Sequence, residues 1–441
     1  MRYFDVKNAI VVLGVTLYCL SCIANVDETS PLSFLHTLYA PCLYALYLFG
    51  AFYFFTNINH KLELGHEIYL LFCLYIFMSL LWSDHTSEVI ANTVHSVGLF
   101  FVCITICDAI GDNYLRFIWT VFYTVSVVSA LSVVLALALP DVGTIYDSSW
   151  SGLHSEFSLN GRWSGITDHP NTLGSYAALG LLTGFYLLVE GRKAPRSAWS
   201  PYTVLMVLGA LLANVVALKG SDSKTSLSST VFAILFYLMA RNALGWFHQR
   251  RLKDLALNFN VGVTAIVALV VAVKQLEIDK LLFQSLGRDS ELTGRTWLWA
   301  LGWDAISEKP LTGWSFDYFN TLKDSYGAFE YNQFHNLLID LLARGGIIAV
   351  IFGIAMYFAF TSELDQGAEK RDAVQFATLY LPFLLLSSYT EVNLFISQSF
   401  IWFFSSFAGF PCSVEQGDPQ ERASPLHHHY QPSSKPNRRS V

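Results

Sequence analysis

Charge is what this sequence lacks. Only 14% of its 441 residues are Asp, Glu, Lys or Arg, where a soluble domain carries about 25%. So few charges could not cover a soluble core in a chain that is 53% hydrophobic and 15% aromatic. Proline (13) and glycine (28) are too sparse for collagen or a low-complexity chain, and 34 Phe with 22 Tyr exclude disorder. Six of the seven cysteines lie in apolar runs, which argues against a disulfide scaffold. Cys103 and Cys107 would share a helix face, but no His or carboxylate lies close by in sequence to complete a metal site. The net charge of −7 leaves no basic face for nucleic acid.

What is present is a succession of long apolar runs, so the chain reads as an all-α polytopic membrane protein. Twelve stretches are candidates to span a bilayer: about 9–24, 34–56, 67–83, 89–110, 117–140, 172–190, 201–218, 226–240, 258–274, 335–361, 373–390 and 392–411. The first imitates a signal peptide, but further runs follow directly and it reads as a membrane helix. Residues 1–412 form the membrane domain, with one large loop at 275–334 inside it. Residues 413–441 are rich in Pro, Ser and charge and read as a disordered cytoplasmic tail.

Basic residues orient the spans. With both ends cytoplasmic, the inner loops hold Lys61, Arg116, Arg192, Lys193, Arg196, Arg241, Arg250, Arg251, Lys253, Lys370 and Arg371, while the short outer loops at 25–33 and 84–88 hold none. Against that background the outer cations stand out, in four patches. Gly161–Asn171 carries Arg162, Trp163, Asp168, His169 and Asn171 just before a span. A helix N-terminus with an adjacent cation favours an anion; the plainer reading is a surface loop with a cap at Asn171. Lys219–Ser226 is a short polar turn carrying Lys224, a phosphate partner or a snorkelling side chain.

Gly287–Arg295 carries Arg288 and Arg295, which would share a face if helical and whose planar forks suit phosphate oxygens. The following run, with Trp297 and then Trp314 beyond Pro310, reads as a helix on the membrane surface. Its tryptophans, like Trp163, suit sugar stacking or an interfacial belt. Phe334–Gly346 opens a span with His335, a residue able to exchange a proton near neutral pH. Asp340 and Arg344 there are four apart and can pair on one helix face. Together these patches imply a phosphate or pyrophosphate ligand at the outer face.

The same residues carry a family resemblance. The ordered set R-W-x-G-x-x-x-H-P-N, S-x-S-K-T-S, G-R-D-x-x-L-T-G-R-T-x-x-W, P-L-x-G and H-N-x-x-x-D-x-x-x-x-G-G resembles the O-antigen ligase/polymerase superfamily over about residues 140–365. The resemblance implies a metal-independent glycosyltransferase of GT-C-like architecture, without a cofactor. It would sit in the bacterial inner membrane with its active site facing the periplasm. The substrate would be an undecaprenyl-pyrophosphate-linked glycan, and a chain-length regulator and a flippase are the expected partners. It implies Arg162, Lys224, Arg288 and Arg295 around the pyrophosphate and His335 at the family's loop histidine. For such a transfer His335 is the expected general base, with Asp168, His169 and Glu391 as weaker candidates. Ligases of this group usually carry Arg where Lys224 stands, and the motifs look more like polymerases of exopolysaccharide production. An O-antigen ligase is the alternative within the family. A secondary transporter is the alternative outside it, and should place charges or broken helices near the midplane.

Overall fold

In a computed structural model of the chain, residues 6–19, 33–57, 62, 64–110, 114–145, 161–167, 169–190, 200–242, 295–326, 333–364, 371–389 and 391–392 are described. Among them the regular elements are helices: α1 (Val6–Cys19), α2 (Ser33–Asn57), α3 (Leu64–Met78, with a 3-10 turn Ser79–Leu81), α4 (Thr86–Ile110), α5 (Tyr114–Ala138), α6 (Pro140–Gly143), α7 (Pro170–Val189), α8 (Pro201–Ser221), α9 (Lys224–Asn242), α10 (Arg295–Glu308), α11 (Asn320–Tyr326), α12 (Leu337–Leu364) and α13 (Arg371–Ser387).

Seven of these are long and apolar enough to cross a membrane, within α2, α3 and its 3-10 turn, α4, α5, α7, α8 and α12. Helices also form at the expected first, eighth and eleventh spans. There α1 has 14 residues, α9 opens on the polar run Lys224–Thr230, and only the short stretch Gln375–Ser387 of α13 is apolar. The expected spans 258–274 and 392–411, and the tail, lie outside the described residues except for Val392.

Packing follows membrane rules. Small residues let helices approach: Gly98 faces the Tyr47 ring, Gly180 faces Asn214, and Gly184 faces Leu211 and Phe122. Asn214 Nδ2 donates to Ser126 Oγ at 2.8 Å between α8 and α5. Leu48, Phe52, Val134, Leu205 and Leu212 point outward, an apolar exterior that suits lipid and not water. Of the cysteines, Cys73, Cys103 and Cys107 are buried, as small apolar side chains.

Helix α12 is broken. Gly346 takes φ 60° and ψ −162° inside it, a conformation open to glycine. A membrane helix can lose its ladder only where other groups replace it. Here the segment 310–314 inserts at the break. Ile347 N donates to Pro310 O (2.9 Å), Trp314 N donates to Ala343 O (2.8 Å), and Tyr75 OH donates to Gly345 O (2.7 Å). A Cβ on Gly346 would collide with the Leu311 carbonyl.

Two ends of the bundle differ. One gathers the start of α7, the end of α8, the start of α9, the start of α12 and the end of α13, linked by the bonds described below. Beside it α10, α11 and the loop between them enclose a second core of Leu298, Ala305, Trp314, Phe319, Phe334 and Ile339. At the opposite end Glu190 pairs with Arg241 (3.0 Å), and Tyr186 OH donates to Asp372 Oδ1 (3.1 Å).

Candidate active site

The first two patches meet. Helix α8 ends on Asp222 in the left-handed region (φ 48°). Gly220 has no side chain, so the Trp163 ring lies against it, and Trp163 N donates to Gly220 O at 3.0 Å. Arg162 Nε then donates to Ser221 O at 2.8 Å. These bonds hold the half-buried guanidinium at the junction of two helix ends. Lys224 pairs with Asp222 at 2.6 Å, with both side chains about half exposed. Such a pair contributes little stability and leaves the ammonium accessible.

At the start of α7 the cap is His169 and not Asn171. His169 Nδ1 accepts from Asn171 N at 3.1 Å, and Pro170 occupies the first helical position, where no N–H is needed. The Asn171 side chain is therefore released from capping. Its Oδ1 accepts from Arg162 Nη2 at 2.7 Å, and its Nδ2 donates to Glu391 Oε1 at 2.8 Å. Asp168 lies outside the described residues.

The fourth patch completes the chain of contacts. His335 Nδ1 lies 3.2 Å from Glu391 Oε2. An ionised carboxylate only accepts, so the Glu391 side favours a proton on Nδ1, and in the neutral ring the lone pair is then on Nε2. His335 adopts φ 50°, an uncommon conformation for a non-glycine residue. It is held there from both sides. Asn336 caps α12 through Oδ1 on Leu338 N (3.0 Å) and Ile339 N (3.2 Å), while its Nδ2 donates to Tyr389 O (3.2 Å). Leu337 N donates to Ser388 O at 2.9 Å. On the other side Asp340 Oδ1 accepts from Phe334 N (3.0 Å), and Asp340 Oδ2 takes Arg344 Nε (2.6 Å). That buried pair forms at the expected spacing, and the Arg344 guanidinium lies 4.0 Å over the Phe319 ring.

The third patch is reached only at its edge. Arg288 and the rest of residues 287–294 lie outside the described residues; Arg295 opens α10, but its side chain is not described. The tryptophans proposed for sugars are engaged with protein. Trp314 is buried, donates Nε1–H to Ala305 O (2.9 Å) and carries Lys309 over its ring. Trp163 packs on Gly220, and Trp297 packs against the second core. Lys323 stands near Arg344; burial, and then that like charge, lower its pKa, while Asp317 opposes the shift. Among the described residues, no three His, Cys, Asp or Glu side chains are grouped as a metal cage would need.

Glu391 is the residue whose role sequence reading underrated. It stands between two apolar runs with no motif around it, and its partners are 56 and 220 residues away. Its one local signal is a lone carboxylate at membrane depth.

Residues 209–354, about a third of the chain, match the family model described as O-antigen ligase. The chain is 24% identical over 333 residues to an O-antigen ligase of Pseudomonas aeruginosa, covering 75% of this chain and 72% of that relative. It is 29% identical over 231 residues to the exopolysaccharide production protein ExoQ of Rhizobium meliloti, covering 48% of this chain and half of that relative. The family match contains Lys224, Arg288, Arg295, His335, Asp340 and Arg344; Arg162, Asn171 and Glu391 lie outside it and are linked to His335 by hydrogen bonds. This helical membrane chain is therefore similar to the O-antigen ligase family over residues 209–354.

Proposed function

We propose that the protein is a metal-independent membrane glycosyltransferase. It would polymerise undecaprenyl-pyrophosphate-linked repeat units on the periplasmic face of the bacterial inner membrane. The observation that carries this reading is the His335–Glu391 pair, joined through Asn171 to Arg162 at one end of the bundle. Such a transfer needs a base for the acceptor hydroxyl and cations for the departing pyrophosphate. His335 Nε2 takes the hydroxyl proton as the oxygen attacks the anomeric carbon. The bond from that carbon to the phosphate oxygen breaks, and its electron pair leaves with the lipid pyrophosphate. Arg162, Lys224, Arg288 and Arg295 neutralise the charge that develops, and the proton returns to solvent from His335. Glu391 stabilises the imidazolium between these events.

Orientation rests on charge. Arg116 opens α5 and Arg241 closes α9 at the end opposite His335, which suits a cytoplasmic side there. The break in α12 is a feature that transport would also use. Its backbone groups, however, are taken up by the 310–314 segment, which supports a static scaffold. The O-antigen ligase similarity favours a second reading within the same chemistry, transfer of finished glycan to a lipid A-core or protein acceptor.

The test is reconstitution with chelator present. Purified protein is given the lipid-pyrophosphate-linked repeat unit alone, or with a lipid A-core acceptor. Chain growth with release of lipid pyrophosphate supports the polymerase; product only with the second acceptor supports the ligase. No sugar transfer under either condition overturns both.

A further inference from the structure

We infer that Trp299 is a positioning residue that holds the His335 main chain in its uncommon conformation; this rests on the proposed glycosyl transfer. Trp299 closes the motif G-R-D-x-x-L-T-G-R-T-x-x-W, whose two arginines the proposed function already uses. It lies on α10, four residues after Arg295 opens that helix. Its Nε1–H donates to Phe334 O at 3.0 Å. That carbonyl belongs to the planar peptide between Phe334 and His335. An indole N–H only donates and a carbonyl only accepts, so the bond has one direction. Fixing that plane sets one side of the His335 φ, which stands at 50°. A non-glycine residue keeps such a φ only where its surroundings hold it from several sides.

The surrounding contacts make this hold specific. Gly302 lies three residues after Trp299, on the same helix face. A Cβ there would come within 2.4 Å of Ile339 Cγ2 and 3.1 Å of the Phe334 ring, so the missing side chain lets α10 approach the start of α12. Trp314 Nε1 donates to Ala305 O at 2.9 Å, which ties the next turn of α10 to the segment inserted at the α12 break. Phe334 N donates to Asp340 Oδ1 at 3.0 Å. Phe334 is thus gripped by both of its main-chain polar groups, the carbonyl from α10 and the N–H from α12. Beyond His335 the chain is held by Leu337 N on Ser388 O at 2.9 Å. The helix that begins at Arg295 therefore also sets where His335 stands, and one element keeps base and cation in register. Loss of the indole N–H would let the peptide before His335 turn. That turn would carry the ring from Glu391 Oε2, which lies 3.2 Å from Nδ1.

The experiment compares full-length wild type, Trp299→Phe and Trp303→Phe in detergent. Phenylalanine keeps an apolar ring and removes the donor, and Trp303, exposed on the same helix, is the control. Steady-state transfer from the lipid-pyrophosphate-linked repeat unit should show kcat of Trp299→Phe down about 10- to 100-fold with KM unchanged, since the reacting group is misplaced while the cations remain. Trp303→Phe should match wild type in both constants. Nitrogen NMR signals of the His335 ring, identified by their loss in His335→Gln, give a readout that needs no turnover. In Trp299→Phe they should move toward those of a solvated imidazole. Should thermal unfolding show that Trp299→Phe does not fold, Gly302→Ala takes its place. Its Cβ pushes α10 away from Phe334 with the indole intact, and it should lower kcat and shift the ring signals in the same way. Wild-type kcat and wild-type ring signals in the folded variant overturn the positioning role, as does a loss confined to KM. Absence of transfer by wild type overturns the glycosyltransferase reading instead.

Discussion

Glu391 Oε2 lies 3.2 Å from His335 Nδ1, and the two residues come from the ends of different helices. The carboxylate fixes which ring nitrogen is free, and it is itself buried. Glu391→Gln keeps the shape but removes the charge that stabilises the imidazolium. Transfer should fall at least about 100-fold in kcat while the protein remains folded, which single-turnover kinetics on size-homogeneous protein will measure. Unchanged turnover would remove Glu391 from the mechanism.

The buried Asp340–Arg344 pair should behave asymmetrically. Arg344→Ala strands a carboxylate that is almost fully enclosed, at a cost of about 3–5 kcal/mol. Replacing both residues by apolar ones of similar size should destabilise less than the single change. Thermal unfolding of the two variants compares them directly.

Gly346 and the inserted 310–314 segment make a further prediction. Gly346→Ala combines a positive φ with a collision against the Leu311 carbonyl. The expected loss is on the order of 3 kcal/mol, seen as lower yield and earlier unfolding. Gly209→Ala, where a Cβ meets no atom within 4 Å, is the control and should be neutral or slightly stabilising.

How far the sequence discloses this arrangement depends on the range of each signal. A span is a local property, so hydropathy alone marks α2 to α5, α7, α8 and α12. The Asp340–Arg344 pair is legible for the same reason, since one helical turn sets it. The break in α12 is not, because Gly345-Gly346 reads as helix until the 310–314 segment arrives to replace its ladder. Asn171 reads as a cap because Asn often caps; only the fold shows that His169 has taken that role. Glu391 is legible only as a weaker candidate base, since no local motif marks it and its pairing with His335 and Asn171 is set by distant partners.

His85 and Asp324 tie α11 to the α3–α4 turn at 2.7 Å. The hydrogen bond to Asp324 raises the His85 pKa; burial opposes it, and the charges of Asp324, Asp317 and Glu88 add smaller raising effects. A raised pKa means the tie is complete below the ordinary histidine range and is lost as pH rises through the raised value. Amides 320–326 should therefore exchange more slowly at pH 5.5 than at pH 8.5 after correction for intrinsic rates. His85→Gln should abolish that difference.

The central claim is that His335 is the base of a sugar transfer from lipid pyrophosphate. It is tested most directly by following release of lipid pyrophosphate and growth of glycan in one reconstituted reaction, wild type against His335→Gln. The account predicts both products from wild type and, in the folded variant, a loss of both by at least about 100-fold. Equal formation of both products by the two proteins would contradict it.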